Sequence, residues 1–283
     1  MATFTNQATL TYNGRTTLSN IAVGELLEVL SITKQAVSGT YRIGDRITYV
    51  ISLVNTGATT LTDLVVTDDL GATTFGTTTV YPLTYVDGSL LYYVNGVLQA
   101  APAVTTTEPL TVTGITVPAG GNTALVYEAT VTTAASPAEG GTITNTATAD
   151  GSVATPVSDT ETITAATASE LTIAKAISPT VVSENDRVTY TFTIQNFGNE
   201  PVVATDNAVV TDLFDPILTD LVVTLDGTVL TTPTGYTYNE ATGLFQTAVG
   251  QITVPAATFT QDPTTGVWTT TPGTVVLTVV GTI

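Results

Sequence analysis

The chain contains no cysteine and no histidine among its 283 residues, and it has only two lysines and four arginines. Without thiol or imidazole groups it cannot form disulfide bonds, Ser-His-Asp or Cys-His catalytic sites, or the usual zinc and haem sites. Its 24 acidic residues outnumber the six basic ones and leave a net charge of −18. Because so acidic a chain repels phosphate groups and anionic lipids, we expect no nucleic acid and no membrane surface as a partner.

Long hydrophobic runs are also missing. No stretch approaches the ~18 apolar residues that span a bilayer. The first residues have neither the basic n-region nor the apolar h-region of a secretory signal. We therefore expect no membrane insertion, and the export route stays open.

What the chain has in abundance is β pattern. Valine, threonine, isoleucine and tyrosine alternate in short runs, as in 47–53 and 188–194, and these runs are bounded by glycine, asparagine, aspartate and proline. Asn13-Gly14 and Asp226-Gly227 are hairpin turn signals. No segment carries a sustained apolar stripe of helical period. The pattern predicts an all-β fold of the immunoglobulin-like β-sandwich type.

Several motifs occur twice, about 141 residues apart. The repeated features are a lysine (Lys34, Lys175), Asp-Arg-x-Thr-Tyr (45–49, 186–190), Asn-x-Gly (55–57, 196–198) and Val-Val-Thr-Asp (65–68, 209–212). This repetition indicates two tandem copies of one domain. We expect an N-terminal donor strand and linker at 1–24, a first domain at 25–166, and a second, incomplete domain at 167–283.

This order of motifs, completed by Ile-Thr-Asn-x-Ala-Thr at 143–148, resembles the bacterial surface repeats known as domain of unknown function eleven. The resemblance covers nearly the whole chain, about twice over. It implies an immunoglobulin-like sandwich of the kind found in surface or fibre proteins. It does not by itself imply an activity.

The two copies end differently. In the first, a strand at 125–131 is followed by a loop and a closing strand at 143–149, whereas in the second the matching strand at 275–280 is followed by only three residues. A segment similar to the closing strand lies instead at the start of the chain, where 4–10 align with 143–149 at a shift of 139 residues. We therefore predict that the second sandwich lacks its last strand.

The N-terminal segment has the alternation of a donor strand. Its inward-facing set is predicted to be Phe4, Asn6, Ala8, Leu10 and Tyr12, with threonine and glutamine between them. In a linear tandem the donor and the vacancy lie at opposite ends, so we expect docking into the next molecule and a homopolymer built by donor-strand exchange. The alternative is that 1–20 form a leader or an extra edge strand of a monomer.

Strand alternation also directs one lysine, one asparagine and one aspartate to the apolar side of each sandwich. These are Lys34, Asn145 and Asp68 in the first copy, and Lys175 and Asp212 with Asn6 of a neighbouring molecule in the second. One interpretation is a buried lysine–aspartate pair with the asparagine hydrogen-bonded beside it. The other is a Lys–Asn isopeptide bond, similar to those of Gram-positive pilins and collagen adhesins, with the aspartate moving protons. Glu128 is a rival acid in the first copy.

These observations predict a structural subunit of an extracellular or cell- or spore-surface fibre. We expect no cofactor, no metal and no enzymatic activity beyond autocatalytic isopeptide formation. The acids Asp206, Asp212, Asp215 and Asp220 match no calcium-loop spacing and are interpreted as a solvated rim. The alternative function is a monomeric surface adhesin or stalk module that binds an external ligand.

Overall fold

The computed structural model describes residues 2–26, 28–151 and 155–283. Residue 1, the first of the predicted donor segment, lies outside them. The described residues form 28 β-strands and one single-turn 3-10 helix at Ala204–Asp206. The predicted all-β class is therefore confirmed. None of the helices in this part of the chain is long or apolar enough to cross a membrane.

The N-terminal segment holds four short strands: β1 (Ala2–Asn6), β2 (Thr9–Tyr12), β3 (Arg15–Leu18) and β4 (Ala22–Leu26). Residues 30–165 hold the next fourteen: β5 (Leu30–Ala36), β6 (Thr40–Tyr41), β7 (Arg46–Asn55), β8 (Leu61–Asp68), β9 (Thr73–Phe75), β10 (Thr78–Val80), β11 (Leu83–Tyr85), β12 (Leu91–Val94), β13 (Val97–Gln99), β14 (Ala103–Thr107), β15 (Leu110–Val117), β16 (Asn122–Val131), β17 (Thr142–Asp150) and β18 (Val157–Ala165).

The remaining ten strands follow residue 170: β19 (Leu171–Ser178), β20 (Arg187–Asn196), β21 (Thr211–Leu213), β22 (Thr219–Leu225), β23 (Thr228–Val229), β24 (Tyr236–Asn239), β25 (Leu244–Thr247), β26 (Thr258–Gln261), β27 (Trp268–Thr271) and β28 (Gly273–Thr282). The chain divides into two compact units. The first domain comprises Met1–Ala134 with Thr142–Ile163, and the second comprises Ala135–Gly141 with Thr164–Ile283.

The first domain is a sandwich of two six-stranded sheets. One sheet has the order β13-β12-β16-β7-β5, with β11 also paired to β16, and the other has the order β14-β15-β8-β17-β18-β6. The strands follow the alternation of the sequence, since β7 and β16 bury every second side chain. Tyr49 and Ile51 of one sheet and Leu64 and Val66 of the other are all buried in the core.

The second domain repeats this plan in part. Its larger sheet has the order β19-β20-β28-β22-β23, and its smaller sheet has the order β21-β25-β24. The shared motifs make β19 and β20 the counterparts of β5 and β7, and they make β21 the counterpart of β8. Among the described strands of the second domain, none corresponds to β17 or β18. Strand β21 therefore ends its sheet, whereas β8 lies in the middle of its own, paired on both sides.

The N-terminal segment is a two-stranded hairpin rather than the single donor strand predicted from its sequence. β1 pairs with β4 and β2 pairs with β3, around a turn at Asn13-Gly14 where both residues have positive φ. The Phe4 ring covers Gly24 on the opposite strand, and a Cβ added there would fall 2.3 Å from the ring. Alternation alone could not reveal the second arm, because it contains glycine, asparagine and serine and has no regular apolar period.

This N-terminal hairpin, residues 2–26, is the counterpart of the β17–β18 hairpin of the first domain. Thr5 lies opposite Val23, and at the same shift of 139 residues the side chains of Thr144 and Thr162 are 3.3 Å apart across β17 and β18. The surroundings of the two hairpins differ. Side chains of β17 alternate between buried and exposed, whereas every residue from 4 to 25 except Gly24 is exposed.

Candidate functional site

Lys34 lies on the inner face of β5, between the two sheets of the first domain. The burial of β5 alternates, with Leu30, Ile32 and Lys34 inside. Only 2% of Lys34 is exposed. A lysine so deeply buried requires partners, because an isolated ammonium group in an apolar core is very costly.

The principal partner of Lys34 is Asp68 at the end of β8. Lys34 Nζ donates a hydrogen bond to Asp68 Oδ2, and both side chains are almost fully buried. Tyr127 on β16 completes a triangle, since its hydroxyl donates to the same Oδ2 at 2.6 Å and accepts from Lys34 Nζ at 3.3 Å. The predicted pairing of Lys34 with Asp68 is therefore present in the structure.

Asn145 on β17 is the fourth member of this buried cluster. It is fully buried, and its Nδ2 donates to the Tyr127 hydroxyl at 3.5 Å. Its carbonyl oxygen Oδ1 is buried without a hydrogen-bond partner among the described residues. The structure thus brings the three predicted residues Lys34, Asp68 and Asn145 into one cluster and adds Tyr127 to it.

The electrostatics of the cluster favour a neutral amine. Burial lowers the pKa of Lys34 below its ordinary value of 10.5, and the Asp68 carboxylate opposes that shift. Burial likewise raises the pKa of the Tyr127 hydroxyl, with the charge of Asp68 adding to the effect. The ammonium nitrogen lies 4.8 Å from the ring centroid of Tyr49 and 5.9 Å from that of Tyr127.

This arrangement places a nucleophile, an acid–base group and an electrophile together. A neutral lysine amine can attack an amide carbon, and a carboxyl group nearby can move the protons that the exchange requires. Lys34, Asn145 and Asp68 could fill these three roles. Glu128, the rival acid, points away from the core and forms a half-exposed ion pair with Arg46 at 3.2 Å.

The second copy of the site is open. Lys175 on β19 donates to Asp212 on β21, as Lys34 does to Asp68, but its side chain is 41% exposed. The rings of Tyr190 and Phe214 lie 4.7 and 5.3 Å from its ammonium nitrogen. In the single chain Asn6 is exposed on the N-terminal hairpin, so this copy contains the lysine and the aspartate but no asparagine.

The exposure of Lys175 extends along its whole strand. Every residue of β19 is exposed, whereas the inner face of β5 is buried. Leu171 and Ile173 are 42% and 57% exposed, and their counterparts Leu30 and Ile32 are 6% and 8% exposed. An apolar groove follows this strand, lined by Leu171, Thr172, Ile173, Ile194, Ala208, Val209, Val210 and Ile252. We call this groove, with Lys175 and the free side of β21, the open face.

Tyr127 is the site residue that the sequence analysis did not identify. It shares a strand face with Leu125 and Ala129, both buried, so alternation places it inside the core. That signal was available, but a tyrosine on an apolar face is more often only a packing residue. In the second domain Val279 takes its place: Val279 lies opposite Tyr190 as Tyr127 lies opposite Tyr49.

The solvated-rim interpretation of the acidic residues has one exception. Asp212 turns toward Lys175, while Asp206 accepts a hydrogen bond from the backbone of Val203 on the surface. Within the ranges that the structure describes, no three acidic side chains are grouped so that they could hold a metal ion.

No family model matches the chain, and no curated protein matches it either. The resemblance to domain of unknown function eleven therefore stays a prediction. Among solved structures, the chain is similar to the major pilin subunit of Bacillus cereus, with 14% identity over 95% of this chain and 73% of that chain and a TM-score of 0.37.

Two streptococcal pilins are also similar. The pilus backbone protein of Streptococcus pneumoniae has 12% identity over 86% of this chain, with a TM-score of 0.31, and this chain covers 54% of its length. A 35 kDa C-terminal fragment of the major pilin of Streptococcus agalactiae has 11% identity over 78% of this chain and 79% of that fragment, with a TM-score of 0.32. At such identities and TM-scores these are similarities of fold alone.

Proposed function

We propose that the protein is the structural subunit of an extracellular or cell- or spore-surface fibre. Copies join head to tail when the N-terminal hairpin of one occupies the open face of the next. Lysine–asparagine isopeptide bonds then lock the fibre, Lys34 to Asn145 within a subunit and Lys175 to Asn6 between subunits. The observation that carries the proposal is the uniform exposure of β19, in contrast to the buried inner face of β5.

Covering the open face would stabilise the second domain substantially. Leu171 and Ile173 are largely exposed although their side chains match those buried in the first domain. Burying an aliphatic side chain contributes roughly 1.5–3 kcal/mol, and the unpaired edge of β21 offers backbone groups for a further ladder of hydrogen bonds. An exposed apolar strip beside a free strand edge attracts another extended segment.

The N-terminal hairpin has the shape and sequence to fill this space. Its arm with β1 and β2 aligns with β17, whose buried residues Ile143, Asn145, Ala147 and Ala149 correspond to Phe4, Asn6, Ala8 and Leu10. Tyr12, the last predicted donor residue, corresponds to Gly151 at the turn. Phe4 also covers Gly24, so one aromatic ring takes the space that the pair Ile143 and Ile163 fills in the first domain.

The second arm of the hairpin contributes as well. In the first domain Asp159 on β18 accepts a hydrogen bond from the backbone amide of Lys34 at 2.7 Å. At the shift of 139 residues the counterpart of Asp159 is Asn20, whose side-chain oxygen can accept the same bond from Lys175. We therefore expect two strands, rather than one, to pass from each subunit to the next.

The occupant is a second copy because donor and acceptor are both uncovered within one chain. Residues 4–23 are exposed on the hairpin, and β19 is exposed throughout. A contact between two different surfaces of the same protein does not close on itself, so it propagates into a filament. Docking would also bury Lys175, which reproduces the environment that lowers the pKa of Lys34.

Disulfide trapping tests the contact directly, since the chain has no cysteine of its own. Thr148 lies opposite Thr67 in the first domain, so the intermolecular counterparts are Thr9 and Thr211. One preparation carries Thr9→Cys, a second carries Thr211→Cys, and a third carries both substitutions. After mild oxidation, peptide mass mapping identifies which cysteines are joined.

A Thr9–Thr211 cross-link in the mixture of the two single variants, and a ladder in the double variant, would support the fibre. A cross-link confined to monomers of the double variant would show that the hairpin folds back on its own chain. The absence of any such cross-link, with monodisperse protein at all concentrations, would favour the adhesin or stalk module instead. Deleting residues 1–14 provides a matched control, because fibres that persist after the deletion contradict the proposal.

A further inference from the structure

We infer that Tyr127 is a catalytic residue of the Lys34–Asn145 bond, which delivers the proton to the leaving amide nitrogen. The inference rests on the intramolecular part of the proposed function. It assigns Asp68 the role of proton store and Tyr127 the role of relay between that store and Asn145.

The geometry assigns the relay to the Tyr127 hydroxyl. This single oxygen contacts all three reacting partners: it donates to Asp68 Oδ2 at 2.6 Å, and it accepts from Lys34 Nζ at 3.3 Å and from Asn145 Nδ2 at 3.5 Å. Among the described residues, Asp68 and Asn145 share no direct hydrogen bond. A proton that moves from the carboxyl group to the leaving nitrogen therefore passes through Tyr127.

The position of Tyr127 is also rigid, as a relay requires. Its ring stacks on Tyr49 with centroids 5.6 Å apart, and Tyr85 contacts its other side at 6.2 Å. Its hydroxyl is buried with no solvent to replace it, since only 1% of the residue is exposed. Burial and the Asp68 charge raise the pKa of the phenol, so it remains protonated and able to donate.

The steps balance without any co-reactant. Lys34 passes a proton from Nζ to the Asp68 carboxylate, and the neutral amine then attacks Cγ of Asn145 while the carbonyl electron pair moves to Oδ1. As the carbonyl re-forms, the Cγ–Nδ2 bond breaks, Tyr127 protonates Nδ2, and the Asp68 carboxyl group reprotonates Tyr127. The attacking nitrogen returns its extra proton to Asp68. The products are an amide, ammonia and a neutral carboxylic acid.

The second site lacks this relay. Val279 lies where Tyr127 would be, and a valine side chain cannot transfer a proton. The Lys175–Asn6 bond between subunits therefore forms more slowly than the Lys34–Asn145 bond within each subunit. Such an order would allow a subunit to close its own first domain before it is locked to a neighbour.

The test compares Tyr127→Phe with Tyr92→Phe in the full chain carrying Asn6→Ala, which removes the intermolecular reaction. Tyr92 is a suitable control because it is buried in the same domain and its hydroxyl makes two hydrogen bonds to the Thr116 backbone, away from the cluster. Each variant is produced by cell-free synthesis. The mass lost as ammonia is followed over time, normalised to the folded fraction from circular dichroism, and the Lys34–Asn145 peptide is mapped.

We expect the Tyr127→Phe variant to form the bond about 10²-fold more slowly or worse, the range over which general acid catalysis acts, while Tyr92→Phe matches the parent. Equal rates for Tyr127→Phe and the parent would overturn the inference and leave the proposed bond intact. The absence of the cross-linked peptide from the parent itself would overturn both. A folded Tyr127→Phe variant that reacts slowly excludes a merely structural effect.

Discussion

The face of the N-terminal hairpin that enters the neighbouring subunit can be tested with two exposed apolar residues on opposite faces. Leu10 is 61% exposed and Val23 is 68% exposed. Their counterparts at a shift of 139 residues are Ala149, which is fully buried, and Thr162, which is exposed. Docking should therefore bury Leu10 and leave Val23 in solvent.

The magnitude follows from the area still exposed. Full burial of a leucine contributes roughly 1.5–3 kcal/mol, and since about three fifths of Leu10 is exposed before docking, Leu10→Ser should weaken each contact by about 1–2 kcal/mol. This corresponds to a rise of about 5- to 30-fold in the critical concentration for fibre growth. Val23→Ser, a matched control, should leave it unchanged.

The assay is sedimentation of fibres across a concentration series in an Asn6→Ala background, so that no covalent bond traps the polymer. Each variant is also examined as a monomer by circular dichroism, because a collapsed hairpin would mimic a lost contact. Equal critical concentrations for Leu10→Ser and Val23→Ser would refute the assignment of the buried face. A larger effect of Val23→Ser would show that the hairpin docks in the opposite orientation.

Three further outcomes are expected. Asn55→Ala should lower the free energy of unfolding by about 2–4 kcal/mol in urea titrations, because Asn55 donates to Thr59 and Val117 carbonyls and accepts from the Gly57 amide; Gln99→Ala on the surface should change it by less than about 0.5 kcal/mol. In an Asn145→Ala variant, Lys34→Met alone should cost about 3–5 kcal/mol by leaving Asp68 unpaired, and adding Asp68→Leu should restore most of it; equal stability of the two would contradict a buried ion pair. In the same Asn145→Ala variant the stability of the first domain should rise as the pH increases from neutrality toward 10.5, because the unfolded lysine still binds a proton where the folded Lys34 has lost it; a slope that Lys34→Met does not remove would contradict this origin.

Several features of the protein follow from the sequence alone. Alternation of valine, threonine and tyrosine predicts the all-β class, because a strand exposes and buries successive side chains. The equal spacing from Lys34 and Lys175 to their Asp-Arg motifs reveals the repeat, and the short tail after 275–280 reveals the missing strand. The Asn-x-Gly motif is now explained as well, since Asn55 and Asn196 each brace a loop through three hydrogen bonds.

Other features depended on the tertiary structure. The second arm of the N-terminal hairpin has no apolar period, so only strand pairing identified it. The difference between buried Lys34 and exposed Lys175 cannot be read from their nearly identical local sequences, because it is decided by whether a hairpin more than 100 residues away covers them. The part of Tyr127 likewise emerges only when strands from both sheets bring its hydroxyl between Asp68 and Asn145. Local pattern determines which side of a strand a residue faces, and the packing of the sheets determines what it meets there.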